Sequence, residues 1–210
     1  MVKGYFMVCL IALGLFFLLS PVEVSAGEKN VKILVLMTNT NYGPNIYFTR
    51  DDMQEWGWEV TLAGITSTLT GCAGFGGLPK ITVDTLVSQI TKITDYDVLA
   101  IGHASWRQGD AYRDILNNQA ALNLVKSAAD SGLVIWAMCG GVRVLAAANV
   151  IQGKNVIGAA VYLQEYEAAG AIYIGYDHAP VIDGNIITCV NGQTYHTQNC
   201  EAIAIALQNR

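Results

Sequence analysis

Cys139 stands between the apolar run Leu133–Met138 and the pair Gly140-Gly141, after which the chain continues as the largely apolar segment Val142–Ala148. Strand, cysteine, two glycines and helix form the pattern of a nucleophile on a sharp strand-to-helix turn. The backbone there is strained and closely approached, so the neighbours must be small. A thiol in that place lies near the positive end of the following helix, which favours the thiolate. Backbone N–H groups beyond the turn can stabilise an oxyanion. The chemistry expected is covalent attack by Cys139 on an electrophilic carbon. The same residues also suit a small thiol packed at a tight turn, and local sequence does not separate the two.

Positioning such a turn requires buried strands flanked by helices. Val31–Met37 is a near-continuous Val/Ile/Leu run, the pattern of a strand covered on both faces. A helix is expected over Asn45–Trp56, with Asn45 as N-cap and Gly57 as its stop. Glu59–Gly64 and Asp97–Gly102 read as the next long strands. Thr66–Lys80 reads as a loop and Val83–Ile93 as a helix. In Gln119–Asp130 the residues Ala121, Leu124, Val125 and Ala128 recur at helical spacing, and Gly132 ends the run. Leu133–Ala137 is the strand before the cysteine and Gly140–Ala148 the helix after it. Short strands are expected at Val156–Ala160, Ala171–Ile174, Val181–Ile182 and Ile186–Val190. Asp183-Gly184-Asn185 forms a hairpin turn between the last two. Glu201–Gln208 closes the chain as a helix. Alternating strands and helices imply one α/β domain with a parallel sheet.

Composition sets the remaining bounds. The chain has 210 residues, 52% hydrophobic and 14% charged, which excludes intrinsic disorder. Twelve Lys+Arg against 17 Asp+Glu leave no positive surplus for phosphates, so no nucleic-acid partner is expected. Lys3, the apolar run Tyr5–Leu19 and the Val24-Ser25-Ala26 site form a secretory signal over residues 1–26. The apolar run is shorter than the ~20 residues of a membrane span, so no stable membrane anchor is expected. Cleavage after Ala26 would leave a domain over 27–210 in a secreted or periplasmic location, without Cys9. In that oxidising setting Cys189 and Cys200 can pair, closing a short loop for about 2–3 kcal/mol, with Cys72 as the rival partner. Two buried free thiols are the alternative. No His, Cys, Asp or Glu groups show metal-ligand spacing, so no metal or other cofactor is expected. Gly74-Phe75-Gly76-Gly77 lacks the Lys-Ser/Thr of a phosphate loop.

The segments KILVLM (32–37), DMQEWGWEVTLAG (52–64), DYDVLAIGHAS (95–105), LVIWAMCGG (133–141) and VIDGNIITC (181–189) come in an order that resembles the ThiJ/PfpI superfamily. That group includes the parkinsonism-associated deglycase, intracellular PfpI proteases and related chaperones. The resemblance implies a flavodoxin-like, class I glutamine amidotransferase-like parallel sheet sandwiched by helices, with a small terminal β-hairpin. It implies Cys139 as nucleophile in a cysteine-dependent hydrolase or amidase acting on a small-molecule or peptide substrate, in a chain that can form a homodimer.

The family's partners for the cysteine are altered here. Its glutamate after the first strand aligns with Asn45, a possible hydrogen-bonding helper, and the histidine of the deglycase branch aligns with Ala159 or Ala160. Its Gly-Gly after the third strand becomes Gly102-His103, so the backbone of Gly102, His103 and Gly140 is implied as the oxyanion site. The His103 imidazole is the candidate replacement base, and His196, on a terminal loop, is the second. Trp106 and Arg107 are candidate rim residues, while His178 reads as structural. Loss of the Glu and His partners also fits a catalytically degenerate member that binds small molecules, senses oxidation or acts as a chaperone.

Overall fold

In the computed structural model the apolar runs divide cleanly between two faces of a sheet. Strand β1 (Lys32–Leu36) sends Leu34 and Leu36 to one core layer and Ile33 and Val35 to the other. Strand β7 (Val134–Met138) does the same with Ile135 and Ala137 against Val134, Trp136 and Met138. Period-two alternation of uniformly apolar residues is what a strand covered on both sides requires. The structure describes residues 30–39, 42–72, 77–105, 112–176, 179–190 and 194–210, without the side chains of 45–49. The expected signal segment 1–26, Trp106, Arg107, His178 and Gly74–Gly76 lie outside the described residues.

In chain order, β1 is followed by α1 (Asn45–Glu55), β2 (Glu59–Gly64), β3 (Thr68–Leu69), β4 (Ile81–Thr82) and β5 (Thr85–Leu86). Next come β6 (Val98–Ile101), α2 (Arg113–Leu116), α3 (Gln119–Asp130), β7 and α4 (Val142–Ala147). The chain ends with β8 (Asn155–Val156), α5 (Leu163–Ala168), β9 (Ile172–Tyr173), β10 (Val181–Asp183), β11 (Ile186–Cys189) and α6 (His196–Gln208). Among the described residues the main sheet runs β10-β11-β7-β6-β1-β2-β5, parallel except for β10. The layer holding Trp136 and Met138 also contains Met53 of α1 and Ile203 of α6; Val125 of α3 and Leu145 of α4 belong to the opposite layer. This is the expected parallel sheet between helices with a terminal hairpin, whose turn places Gly184 at φ +66°. No helix among the described residues is long and apolar enough to cross a membrane.

Several local expectations fail. Val83–Ile93 is not a helix: Thr85-Leu86 pairs with β2, and 3-10 turns occupy Val87–Gln89 and Ile93–Asp95. β-branched Val83, Thr85 and Val87 disfavour a helix. The Asp84 carboxylate accepts the Leu62 N–H at 2.7 Å, tying the segment to β2. Within the expected loop 66–80, Thr68-Leu69 pairs with Ile81-Thr82. The strand expected over 156–160 shrinks to Asn155-Val156, paired with β9 outside the main sheet. The last helix starts at His196, before Glu201. Pro44, not Asn45, holds the N-cap of α1, because a fixed proline φ is already compatible with helix entry. No disulfide joins Cys189 to Cys200 or Cys72; all are buried free thiols. Cys189 turns to the side chains of Asn199 and Trp136, while Cys200 lies within the field of Asp52.

Candidate active site

Cys139 occupies the end of β7 with φ +53°, a left-handed conformation that non-glycine residues rarely adopt. The residues 139–141 make one 3-10 turn and α4 begins at Val142. A turn this abrupt lets a backbone N–H point back at the side chain that precedes it, and Gly140 supplies that donor to the thiol. Gly140 and Gly141 are buried. A Cβ on Gly141 would lie 3.2 Å from Ile101 Cγ2 and 3.3 Å from the Tyr112 hydroxyl. The small residues are therefore required by packing as well as by backbone geometry.

The Cys139 carbonyl points toward the segment after β8. It accepts the Ala159 N–H at 3.3 Å and the Tyr166 hydroxyl at 3.5 Å. Gly158 admits this approach, since a Cβ there would be 3.0 Å from both that carbonyl and the Tyr166 hydroxyl. The Tyr173 hydroxyl donates to Gly158 O at 3.1 Å. Tyr112, at φ +68°, is fully buried and accepts the Ala104 N–H on its hydroxyl at 3.0 Å. The Arg143 guanidinium lies 4.2 Å from the centroid of the Tyr162 ring, and its Nε donates to Glu165 at 2.7 Å. The elbow is thus surrounded by phenols. Burial and then the negative charge of a Cys139 thiolate raise the Tyr166 and Tyr173 hydroxyls above their usual range.

Cys139 itself is half-buried, and burial pushes its thiol up, with the Gly140 N–H pulling the other way. This corrects the thiolate-favouring expectation: one N–H at the start of a six-residue helix does not offset the loss of water around the anion. Among the described residues, burial and that N–H are the two influences on the thiol, and no imidazole or carboxylate is one of them.

The sequence-derived partners fall elsewhere. Gly102 spends its N–H on Leu36 O at 2.9 Å, so it is no oxyanion donor. Its missing side chain matters instead, because a Cβ would meet Met37 Sδ at 2.5 Å. The His103 ring packs on Gly43, where a Cβ would fall 1.9 Å from Nδ1. His103 Nδ1 is buried without a well-formed hydrogen bond, and burial lowers the imidazole to about 4, opposed by the Gly43 backbone. His103 O accepts the Gly43 N–H at 3.0 Å. His196 sits at the start of α6, with Nδ1 3.2 Å from Asp52 Oδ2 on α1. Asn45 is the first residue of α1, and its side chain lies outside the described residues. No group of three or more His, Cys, Asp or Glu among the described residues is arranged to hold a metal.

The sequence reading missed the tyrosines. Tyr162 and Tyr166 carried a usable signal, an i,i+4 pair on one helical face; Tyr112 carried none. It also missed Asp114, whose carboxylate accepts the Thr38 hydroxyl at 2.7 Å and the Asn39 N–H, holding α2 to the end of β1.

Comparison with known proteins agrees with this fold. An uncharacterised protein of Methanocaldococcus jannaschii is 29% identical over 170 residues, covering 79% of this chain and 78% of that protein. An uncharacterised protein of Archaeoglobus fulgidus is 26% identical over 159 residues, 75% of this chain and 88% of the other. Among solved structures, the ThiJ/PfpI domain protein of Brachyspira murdochii matches with a TM-score of 0.72 at 18% identity, covering 88% of this chain and 99% of that one. Drosophila melanogaster DJ-1beta matches with a TM-score of 0.68 at 20% identity, over 86% and 95% of the two chains. The model of the DJ-1/PfpI family matches residues 31–204, from the first strand into the last helix, and the chain belongs to that family.

Proposed function

We propose that this DJ-1/PfpI protein captures small electrophiles, aldehydes foremost, on Cys139. The observation that carries the reading is a left-handed elbow cysteine whose thiol is raised by burial and held by the Gly140 N–H, with no imidazole or carboxylate acting on it among the described residues. Addition of a thiol to an aldehyde needs no external base for its balance. The Sγ–C bond forms, the carbonyl π pair moves to oxygen, and the thiol proton ends on that oxygen as a hemithioacetal. The Gly140 N–H favours such a neutral, hydrogen-bonding product. Rapid amide hydrolysis asks for more, because a leaving amine must be protonated by a positioned acid. Cysteine-dependent hydrolysis of activated esters stands as the second reading, supported by the elbow turn.

Incubation of the reduced protein with a small aldehyde, followed by native mass spectrometry and by mapping which cysteine the aldehyde protects from iodoacetamide, tests the proposal. A single adduct mapped to Cys139, lost in Cys139→Ala, is the expected result. Absence of any Cys139 adduct, with turnover of a p-nitrophenyl ester by the same sample, would replace the first reading by the second. Export through residues 1–26 remains part of the proposal on the strength of the n-region, apolar core and Val-x-Ala site.

A further inference from the structure

Cys189 is a buried thiol one strand away from the elbow, and the reaction above leaves it unused. In the parallel pairing of β7 with β11, Cys189 is the registered partner of Met138, the residue before Cys139. Both Met138 and Cys189 point into the layer between the sheet and helices α1 and α6. A straight strand would send the next side chain to the opposite face. The left-handed turn at Cys139 prevents this, and the Cys139 side chain packs against the same layer as Cys189. A strand spacing of ~4.8 Å and a rise of ~3.3 Å put the two Cα atoms about 6 Å apart. That lies inside the ~4.4–6.8 Å span of disulfides. The Cys189 thiol also senses Cys139: burial first, and then the charge of Cys139, raise it.

We propose that Cys139 and Cys189 form a dithiol/disulfide couple that takes a hydroperoxide as oxidant. Cys139 Sγ attacks the peroxide, the O–O bond breaks, and an alcohol or water leaves with the thiol proton, giving a sulfenic acid. The Cys189 sulfur then attacks Cys139 Sγ. The S–S bond forms, the S–O bond breaks, and hydroxide leaves as water with the Cys189 proton. Two electrons pass from the thiol pair to the peroxide. Cys189 thereby competes with further oxygen addition at Cys139, which otherwise becomes irreversible beyond the sulfenic acid. The couple shares Cys139 with the electrophile-binding reading but does not depend on it.

The test uses the full reduced chain, freed of reductant and treated with hydrogen peroxide, then alkylated and weighed. The expected product has lost two hydrogen masses and is restored by dithiothreitol. Chymotrypsin, cutting after Tyr195, separates Cys189 from Cys200, and the linked peptide should join Cys139 to Cys189. Cys189→Ala should instead gain oxygen masses at Cys139. A wild-type protein that gains oxygen at Cys139 without a bridge, remains unchanged, or links Cys189 to Cys200 overturns the proposal. The wild-type measurement stands even if Cys189→Ala fails to fold. Because it contains no aldehyde, it can succeed or fail independently of adduct formation.

Discussion

The edge of the Tyr162 ring fills the space that a side chain on Gly140 would need. A Cβ there would lie 3.1 Å from Tyr162 Cε2 and 3.2 Å from Tyr112 Cε2. Gly140 is therefore held between two rings while its N–H faces the thiol. Gly140→Ala forces one ring to move, and Tyr112 is fully buried. Overpacking of this kind costs about 1–3 kcal/mol. Urea denaturation should show that loss, and aldehyde capture at Cys139 should weaken with it.

Cys139 should react first among the four cysteines that follow residue 26, since Cys72, Cys189 and Cys200 are buried. It should nevertheless react more slowly than free cysteine at neutral pH, because burial raises its pKa and only the thiolate attacks. Iodoacetamide rates measured against pH should inflect above the ~8.5 of an ordinary thiol. An inflection below that value would restore the activated-nucleophile reading.

His103 makes stability depend on pH in a definite direction. Burial lowers its folded pKa from 6.5 to about 4, so the unfolded chain binds the proton more readily. Its contribution is complete above pH ~6.5 and is lost as pH falls toward the folded value. Melting temperature should drop between neutral and mildly acid pH, and His103→Gln should flatten that dependence. Capture of aldehyde at neutral pH should survive in the same variant, because the ring packs on Gly43 and does not act on the thiol.

Tyr112→Phe keeps the ring between Gly140 and Gly141 but removes the acceptor of the buried Ala104 N–H. An unsatisfied buried donor costs about 1–3 kcal/mol. The loss should appear in equilibrium unfolding, with the far-ultraviolet circular dichroism unchanged.

If residues 1–26 act as a secretory signal, N-terminal sequencing of protein recovered from its native host should begin at Gly27. A soluble cytoplasmic chain that retains Met1–Ala26 would remove the export proposal.

The sheet was legible because its strands are short apolar runs with no polar face, a pattern that parallel packing between helices demands. The Cys-Gly-Gly elbow was legible for a related reason: few residues other than glycine survive beside a left-handed turn under two aromatic rings. Helix α3 was read to its final residue, since Asn118 caps it through Ala121 N–H and Gly132 ends it at φ +70°. Residues 83–93 were misread because spacing alone does not reveal that Asp84 bonds across to Leu62 in another strand.

The surroundings of Cys139 were decided by tertiary structure. The His103 imidazole does not act on it, and the absence of a side chain on Gly43 gives the ring its place there. Tyr112, the Tyr162/Tyr166 pair and Tyr173 arrive from three different segments, and no local pattern fixes where such segments meet. The sign of the thiol's pKa shift followed the same rule. A helix start can be read from residue order, but the water that burial removes is set by everything packed around the turn.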